Sequence, residues 1–149
     1  MRWILGTALA LSTTIASAAV VDVKIYDAFG AAYQTTSIGE RLGAIYNIAF
    51  DPTMVLILGP ALEDERVREQ QKIVAGIDPD EHGILFAIGT PRQQTYGKGF
   101  SLAPNTAAEL LPAEDAFRVL VLGADGTVLL DTNGVVGRDR LIGISPSSQ

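Results

Sequence analysis

The chain has 149 residues, no cysteine, and seventeen acidic residues against eleven basic, a formal net charge of −6. An acidic balance argues against nucleic acid and against docking on anionic lipid, while the absence of cysteine excludes thiol exchange, disulfide staples and a lipid-modified cysteine. With 48% hydrophobic residues, a chain of this length can build the core of one domain without covalent support.

Residues 1–18 have the three parts of a secretory signal peptide. Met1 and Arg2 give a charged start, Trp3 to Ile15 an apolar run, and Ala16, Ser17 and Ala18 a small-residue cleavage site. The run is too short and too diluted by Thr7, Ser12, Thr13 and Thr14 to favour a retained membrane anchor. Cleavage after Ala18 leaves 131 residues with ten basic side chains against seventeen acidic, a net charge of −7. The expectation is an exported, periplasmic, soluble domain over 19–144 with a flexible Ser/Pro tail over 145–149. No membrane insertion is expected after cleavage, because the next apolar segment, Met54 to Leu58, stops at Gly59 and Pro60.

The first predicted element is an edge strand through Val20, Val21, Val23 and Ile25, with Asp22 and Lys24 alternating outward. Gly30 to Ser37 reads as connection. Ser37 and Glu40 then have capping-box spacing, and Ile38, Leu42, Ile45 and Ile48 recur at helical intervals, which predicts a helix over 38–48. Asp51 and Pro52 end it. The continuous run Thr53 to Leu58 predicts a strand covered on both faces, as in a parallel sheet. Glu63, Asp64 and Glu65 suit the positive end of a following helix, whose inner face carries Val67, Gln70, Ile73, Val74 and Ile77. Pro79 enforces its stop.

Ile84 to Ile88 predicts the third strand, and Gly89 to Pro104 a loop that is long against the usual connection of about four to six residues. A short helix over 105–111 follows, with Thr106 and Glu109 as a second capping box. Phe117 to Leu122 and Thr127 to Leu130, joined through Asp125 and Gly126, predict an antiparallel hairpin. Arg138 to Ile144 predicts a terminal helix with Leu141 and Ile144 facing inward. A parallel unit closed by an antiparallel hairpin makes a mixed sheet flanked by helices.

The order strand, helix, strand, helix, strand, helix, strand, strand, helix is that of the thioredoxin fold. The segment Phe117-Arg-Val-Leu-Val-Leu-Gly-Ala-Asp-Gly-Thr-Val-Leu-Leu resembles the final hairpin of thioredoxin-like and peroxiredoxin-like domains. More narrowly, Met54-Val-Leu-Ile-Leu-Gly-Pro, the following helix with Asp64, Arg66, Arg68, Gln70 and Gln71, and Val119-Leu-Val-Leu-Gly-Ala-Asp-Gly are similar to the exported domain of unknown function 4174 family. That resemblance implies a thioredoxin-like fold and brings no known activity. Where redox thioredoxins carry C-x-x-C, this chain has Gly59, Pro60, Ala61 and Leu62, a position unable to supply the attacking thiolate. Their cis-proline before the fourth strand is replaced by Asp115 and Ala116, with Pro112 several residues too early.

Other chemistry is weakly served. Asp78-Pro-Asp-Glu-His82 gathers carboxylates and the one histidine, yet a twelve-residue calcium loop counted from Asp78 ends on Gly89 instead of an acid, and zinc lacks a second histidine or a cysteine. This turn and the Glu63 to Glu65 cluster are the groups that a metal-assisted or acid/base hydrolase of the cell envelope would use, and helix-dipole placement explains the second more simply. No G-x-S-x-G turn or phosphate-cradling loop occurs. The long loop joins Arg92, Tyr96, Lys98 and Phe100, a mixture of aromatic and basic groups suited to binding a ligand or partner. The sequence therefore predicts a non-redox binding or accessory module of the envelope, with no cofactor, no metal and no catalytic residue, whose partner is an envelope protein or small ligand.

Overall fold

A computed structural model describes residues 19–46, 50–94, 97 and 99–146. The predicted signal segment, the predicted end of the first helix at Ile48, and the loop residues Tyr96 and Lys98 lie outside the described residues. In chain order the described elements are β1 (Lys24–Tyr26), β2 (Ala32–Gln34), α1 (Ile38–Tyr46), β3 (Thr53–Leu58), α2 (Glu65–Ala75), α3 (Pro79–His82), β4 (Ile84–Gly89), β5 (Phe100–Ser101), α4 (Pro104–Leu110), β6 (Arg118–Leu122), β7 (Val128–Thr132) and α5 (Arg138–Ile144).

All seven strands share one sheet in the order β2-β1-β5-β4-β3-β6-β7. The apolar run of β3 is interior, between β4, to which it is parallel, and β6, to which it is antiparallel, and every residue of β3 is buried. Side chains alternate between the two faces of a strand, and the core divides accordingly. Val55, Ile57, Val119 and Val121 face Val67 and Val74 of α2 and Leu141 of α5. Met54, Leu56, Leu58, Leu120 and Leu122 face Ile38 of α1 and Ala107 of α4. Helices on both faces are what a strand without polar alternation requires.

Several sequence expectations need correction. The strand expected over Val20 to Ile25 is shortened to β1, and Val20 makes only an isolated bridge to Thr127. Nor is β1 an edge, because residues read as connection form β2 and cover one side while β5 covers the other. The hairpin β1–β2 is closed by Asp27, whose Oδ1 accepts from the backbone N–H groups of Phe29 and Ala31 at 2.9 Å each. Such side-chain-to-backbone bonding builds a turn without the apolar alternation that marks a strand pair in sequence. The predicted 89–104 loop contains β5, two residues that pair with both β1 and β4 and are too short to show a period.

The turn at 78–82 is the single helical turn α3, with Asp78 as its cap, Pro79 in its first turn and Gly83 in the left-handed conformation at its end. The second capping box is not used: α4 starts at Pro104 behind Ala103, which has no capping side chain. Ser145 was assigned to a flexible tail but is fully buried, its hydroxyl 2.8 Å from that of Thr53 and donating to the carbonyl of His82 at 3.3 Å. A small hydroxyl that finds two partners there satisfies itself inside the fold.

Candidate functional site

The position of interest on this fold is the junction between β3 and α2, where Gly59 to Leu62 stand. Gly59 N–H donates to Gly89 O at 3.2 Å, continuing the β3–β4 ladder past the strand end. A Cβ on Gly59 would lie 2.2 Å from Val67 Cγ2 and 3.7 Å from Phe117 Cδ1, so the close seating of α2 on the sheet excludes any side chain there. Pro60, Ala61 and Leu62 are half-buried, and Leu62 packs against the α2-side core. None of the four presents a nucleophile.

What occupies the mouth of the junction is an arginine. Asp64 caps α2 by accepting from Arg66 N–H at 2.9 Å, and the Arg66 guanidinium returns to the same carboxylate through Nε at 3.0 Å and Nη2 at 2.8 Å. Arg66 Nη2 also donates to the carbonyl of Asp115 at 3.1 Å, and its guanidinium lies 5.4 Å from the centre of the Phe117 ring. One side chain thus ties the β3–α2 turn to the segment before β6, the two places where a redox thioredoxin would hold thiols and cis-proline. Sequence reasoning placed Asp64 at the positive end of the helix and gave Arg66 no role; only the two-residue spacing of opposite charges at a helix start hinted at the pair.

A second ion pair stands on the closing hairpin. Arg118 holds Asp131 through Nε and Nη2 at 2.8 Å each, and its Nη1 donates to Leu110 O at 2.7 Å, pinning the end of α4 to the sheet. Pro112, Phe117, Arg118, Asp131, Thr132 and Asn133 line a surface cleft of about 550 Å³ beside it. Bidentate geometry makes both pairs stronger than an ordinary surface bridge. The guanidinium of Arg66 holds the Asp64 carboxyl below its ordinary value, and that of Arg118 does the same for Asp131. Because these folded values are depressed, the stability they contribute is complete above the unfolded value of 3.8 and is lost as pH falls through the lower folded values. Urea midpoints are therefore expected to hold steady down to mildly acidic pH and then drop. In the double variant Asp64→Asn, Asp131→Asn that drop should be shallower, and an unchanged acid limb would show that the pairs do not contribute.

The loop residues singled out from sequence separate. Arg92 is exposed. Phe100 lies in β5, half-buried, its ring edge-on to Tyr33 at 5.7 Å with an interplanar angle of 77°, and the Arg41 guanidinium covers the Tyr33 ring at 4.3 Å. Phe100 is therefore part of a stack that joins α1, β2 and β5. The base of the loop is tied as well: Thr90 hydroxyl donates to Gln93 O at 3.0 Å and Gln94 Nε2 to Ser101 hydroxyl at 3.2 Å. Gly99, at φ +76° against the Phe86 ring, has no room for a side chain.

In each acid cluster, part of the set has a structural task. Asp78 Oδ1 accepts from Asp80 N–H at 2.9 Å, Asp64 caps α2, and Glu81 Oε1 lies 3.4 Å from His82 Nε2. Among the described residues no three of His, Cys, Asp and Glu gather where they could hold a metal ion.

The feature that sequence reasoning missed is the tip of the β1–β2 hairpin. Ala28, Phe29, Gly30, Ala31 and Ala32 are all exposed, and Phe29 is 97% exposed. The turn beneath them is stiffly built: Asp27 N–H donates to Ala31 O at 3.0 Å, Gly30 N–H to Asp27 O at 3.1 Å, and Tyr33 hydroxyl to Asp27 Oδ2 at 3.1 Å. The signal available in sequence was Asp27 with Gly30 three residues on, a turn pattern around an aromatic residue.

No protein-family model matches the sequence, and no curated protein is significantly similar to it. Solved structures do match across most of the chain. Peroxidoxin BcpB from Mycobacterium tuberculosis aligns with a TM-score of 0.56 at 12% identity, covering 87% of this chain and 95% of that one. Copper-bound ScoI from Arabidopsis thaliana aligns at 0.53 and 10% identity, covering 86% and 96%, and Prx1a from Plasmodium yoelii at 0.51 and 10%, covering 85% and 87%. At such identities the likeness is one of fold, and with the mixed sheet and its flanking helices it shows that this chain has an α/β thioredoxin-like fold.

Proposed function

We propose that this chain is an exported, non-redox binding or accessory module of the cell envelope, built on the thioredoxin-like fold that its resemblance to the domain of unknown function 4174 family implies. The observation that carries the reading is the hairpin tip Ala28 to Ala32, five consecutive exposed residues without one polar side chain, held on an Asp27-bonded turn. Water-facing apolar runs of this length are disfavoured unless something binds them, and a pre-ordered turn lowers the entropy cost of presenting Phe29 to a partner. The absence of cysteine from a thioredoxin-like scaffold supports the non-redox half of the reading. So does the Arg66 bridge, which ties the β3–α2 turn to the carbonyl of Asp115 before β6 without offering a nucleophile.

The test is photo-crosslinking in the native host with a crosslinker at position 29, compared with one at Lys72 on the exposed side of α2. A discrete adduct is expected from position 29 alone, and it should be competed by unlabelled wild-type protein but not by the Phe29→Ser variant. Equal labelling from both positions, or acceleration of insulin reduction by the purified protein over dithiothreitol alone, would overturn the reading.

A further inference from the structure

We propose that Asn133 is a self-modifying site, converting through a succinimide to aspartate and isoaspartate in the folded protein. The chain has one Asn-Gly pair, Asn133-Gly134, and it lies in the bend after β7, on the rim of the cleft that also holds Arg118 and Asp131. In the reaction the backbone nitrogen of Gly134 gives up its proton and attacks Asn133 Cγ. The new Cγ–N bond closes a five-membered ring, the Cγ–Nδ2 bond breaks, and ammonia leaves. Water then opens the ring at either carbonyl, giving aspartate or a backbone lengthened by one carbon.

Three observations favour the attack here. Asn133 is exposed, and no hydrogen bond holds its side-chain amide among the described residues. Nothing lies within 4 Å of the position a Gly134 Cβ would take, so the backbone has room to turn. The attacking N–H is engaged only by Thr132 Oγ1 at 3.3 Å, a long and therefore weak bond. The hairpin turn at Asp125-Gly126 provides the contrast. There Asp125 Oδ1 is held by Thr127 N–H at 3.0 Å, Gly126 N–H donates to Gly123 O at 2.9 Å, and the glycine is packed against Val21 O. That pair is locked, and Asn133-Gly134 is not.

The consequence is chemical and local. A new carboxylate arises in the cleft beside the Arg118–Asp131 pair, and the isoaspartate form inserts a carbon between β7 and Val136, whose backbone is clamped by Gln70.

The test is incubation of the full chain in mildly alkaline buffer, followed by peptide mapping and ion-exchange chromatography. The expected result is a mass gain of about one dalton confined to the Asn133 peptide, with an earlier-eluting isoaspartyl form. Gly134→Ala fits the open space, so its fold is preserved, and it should slow conversion roughly tenfold by restricting the backbone. Thr132→Val should speed it several-fold. If Asn133 stays intact in the folded protein while the same protein in urea converts, or if Gly134→Ala converts at the wild-type rate, the proposal fails.

Discussion

Gly59→Ala is expected to destabilise the protein by about 3 kcal/mol, because its new Cβ would be driven against Val67 in a core that has no slack. Val67 is fully buried and anchors α2 to the sheet, so it cannot rotate away without opening a gap beside Val74 and Phe117. The fall should be visible as a lower urea midpoint with an unchanged slope, the mark of a stability change within the same folded state. Val67→Ala alone should also destabilise, by about 2 kcal/mol, through the cavity it leaves. Combined with Gly59→Ala it should cost less than the sum of the two, since each change relieves the other. A Gly59→Ala midpoint equal to wild type would show that α2 is not seated as described. The result bears on function, because the same closeness that forbids a methyl group at position 59 forbids a reactive side chain.

Gln70→Leu is the second large effect, with an expected loss of about 3 kcal/mol although leucine is apolar and similar in size. Gln70 is fully buried in the face α2 turns to the sheet. Its Nε2 donates to Val136 O at 2.9 Å, and its Oε1 accepts from Val136 N–H at 2.6 Å. The amide thus plays the part of a neighbouring strand for one residue of the segment between β7 and α5. Leucine would leave a buried N–H and a buried carbonyl without partners, and that penalty outweighs the apolar gain. Gln70→Glu separates this account from simple packing. An ionised glutamate can accept from Val136 N–H but cannot donate to its carbonyl, whereas the protonated acid does both. Burial raises the folded value of such a carboxyl, so the deficit of this variant should shrink as pH falls through that raised value. A deficit independent of pH would exclude the paired amide as the source of the loss.

The buried strands were legible because their patterns are local. Thr53 to Leu58 read as a doubly covered strand and Ile84 to Ile88 as a strand from composition alone, and Phe117 to Leu130 read as a hairpin from its Asp-Gly turn; all three stand in the sheet, β4 extending one residue further to Gly89. Even Gln70 appeared on the correct face of α2 by spacing. Its partner could not, since Val136 lies 66 residues away. The same is true of Arg66, whose bridge to Asp115 spans 49 residues. Short strands escaped for another reason: β2 and β5 have three residues and two, fewer than a period needs to repeat. Of the site residues taken from the loop, Phe100 packs edge-on against Tyr33, a contact invisible in sequence because an aromatic side chain reads the same whether it serves a ligand or another ring. Phe29 was passed over because exposure is not written in a residue's type.

By itself, then, the sequence determined the composition of the core, the order of the principal elements and the impossibility of thiol chemistry, since each of these depends on residue identity or on neighbours within a turn or a strand. Tertiary structure alone decided that Arg66 bridges the β3–α2 junction, that β1 lies inside the sheet, that Ser145 is buried and that an apolar hairpin tip faces water. Those outcomes depend on which distant segments meet, and contacts between residues far apart in the chain leave no local pattern to read.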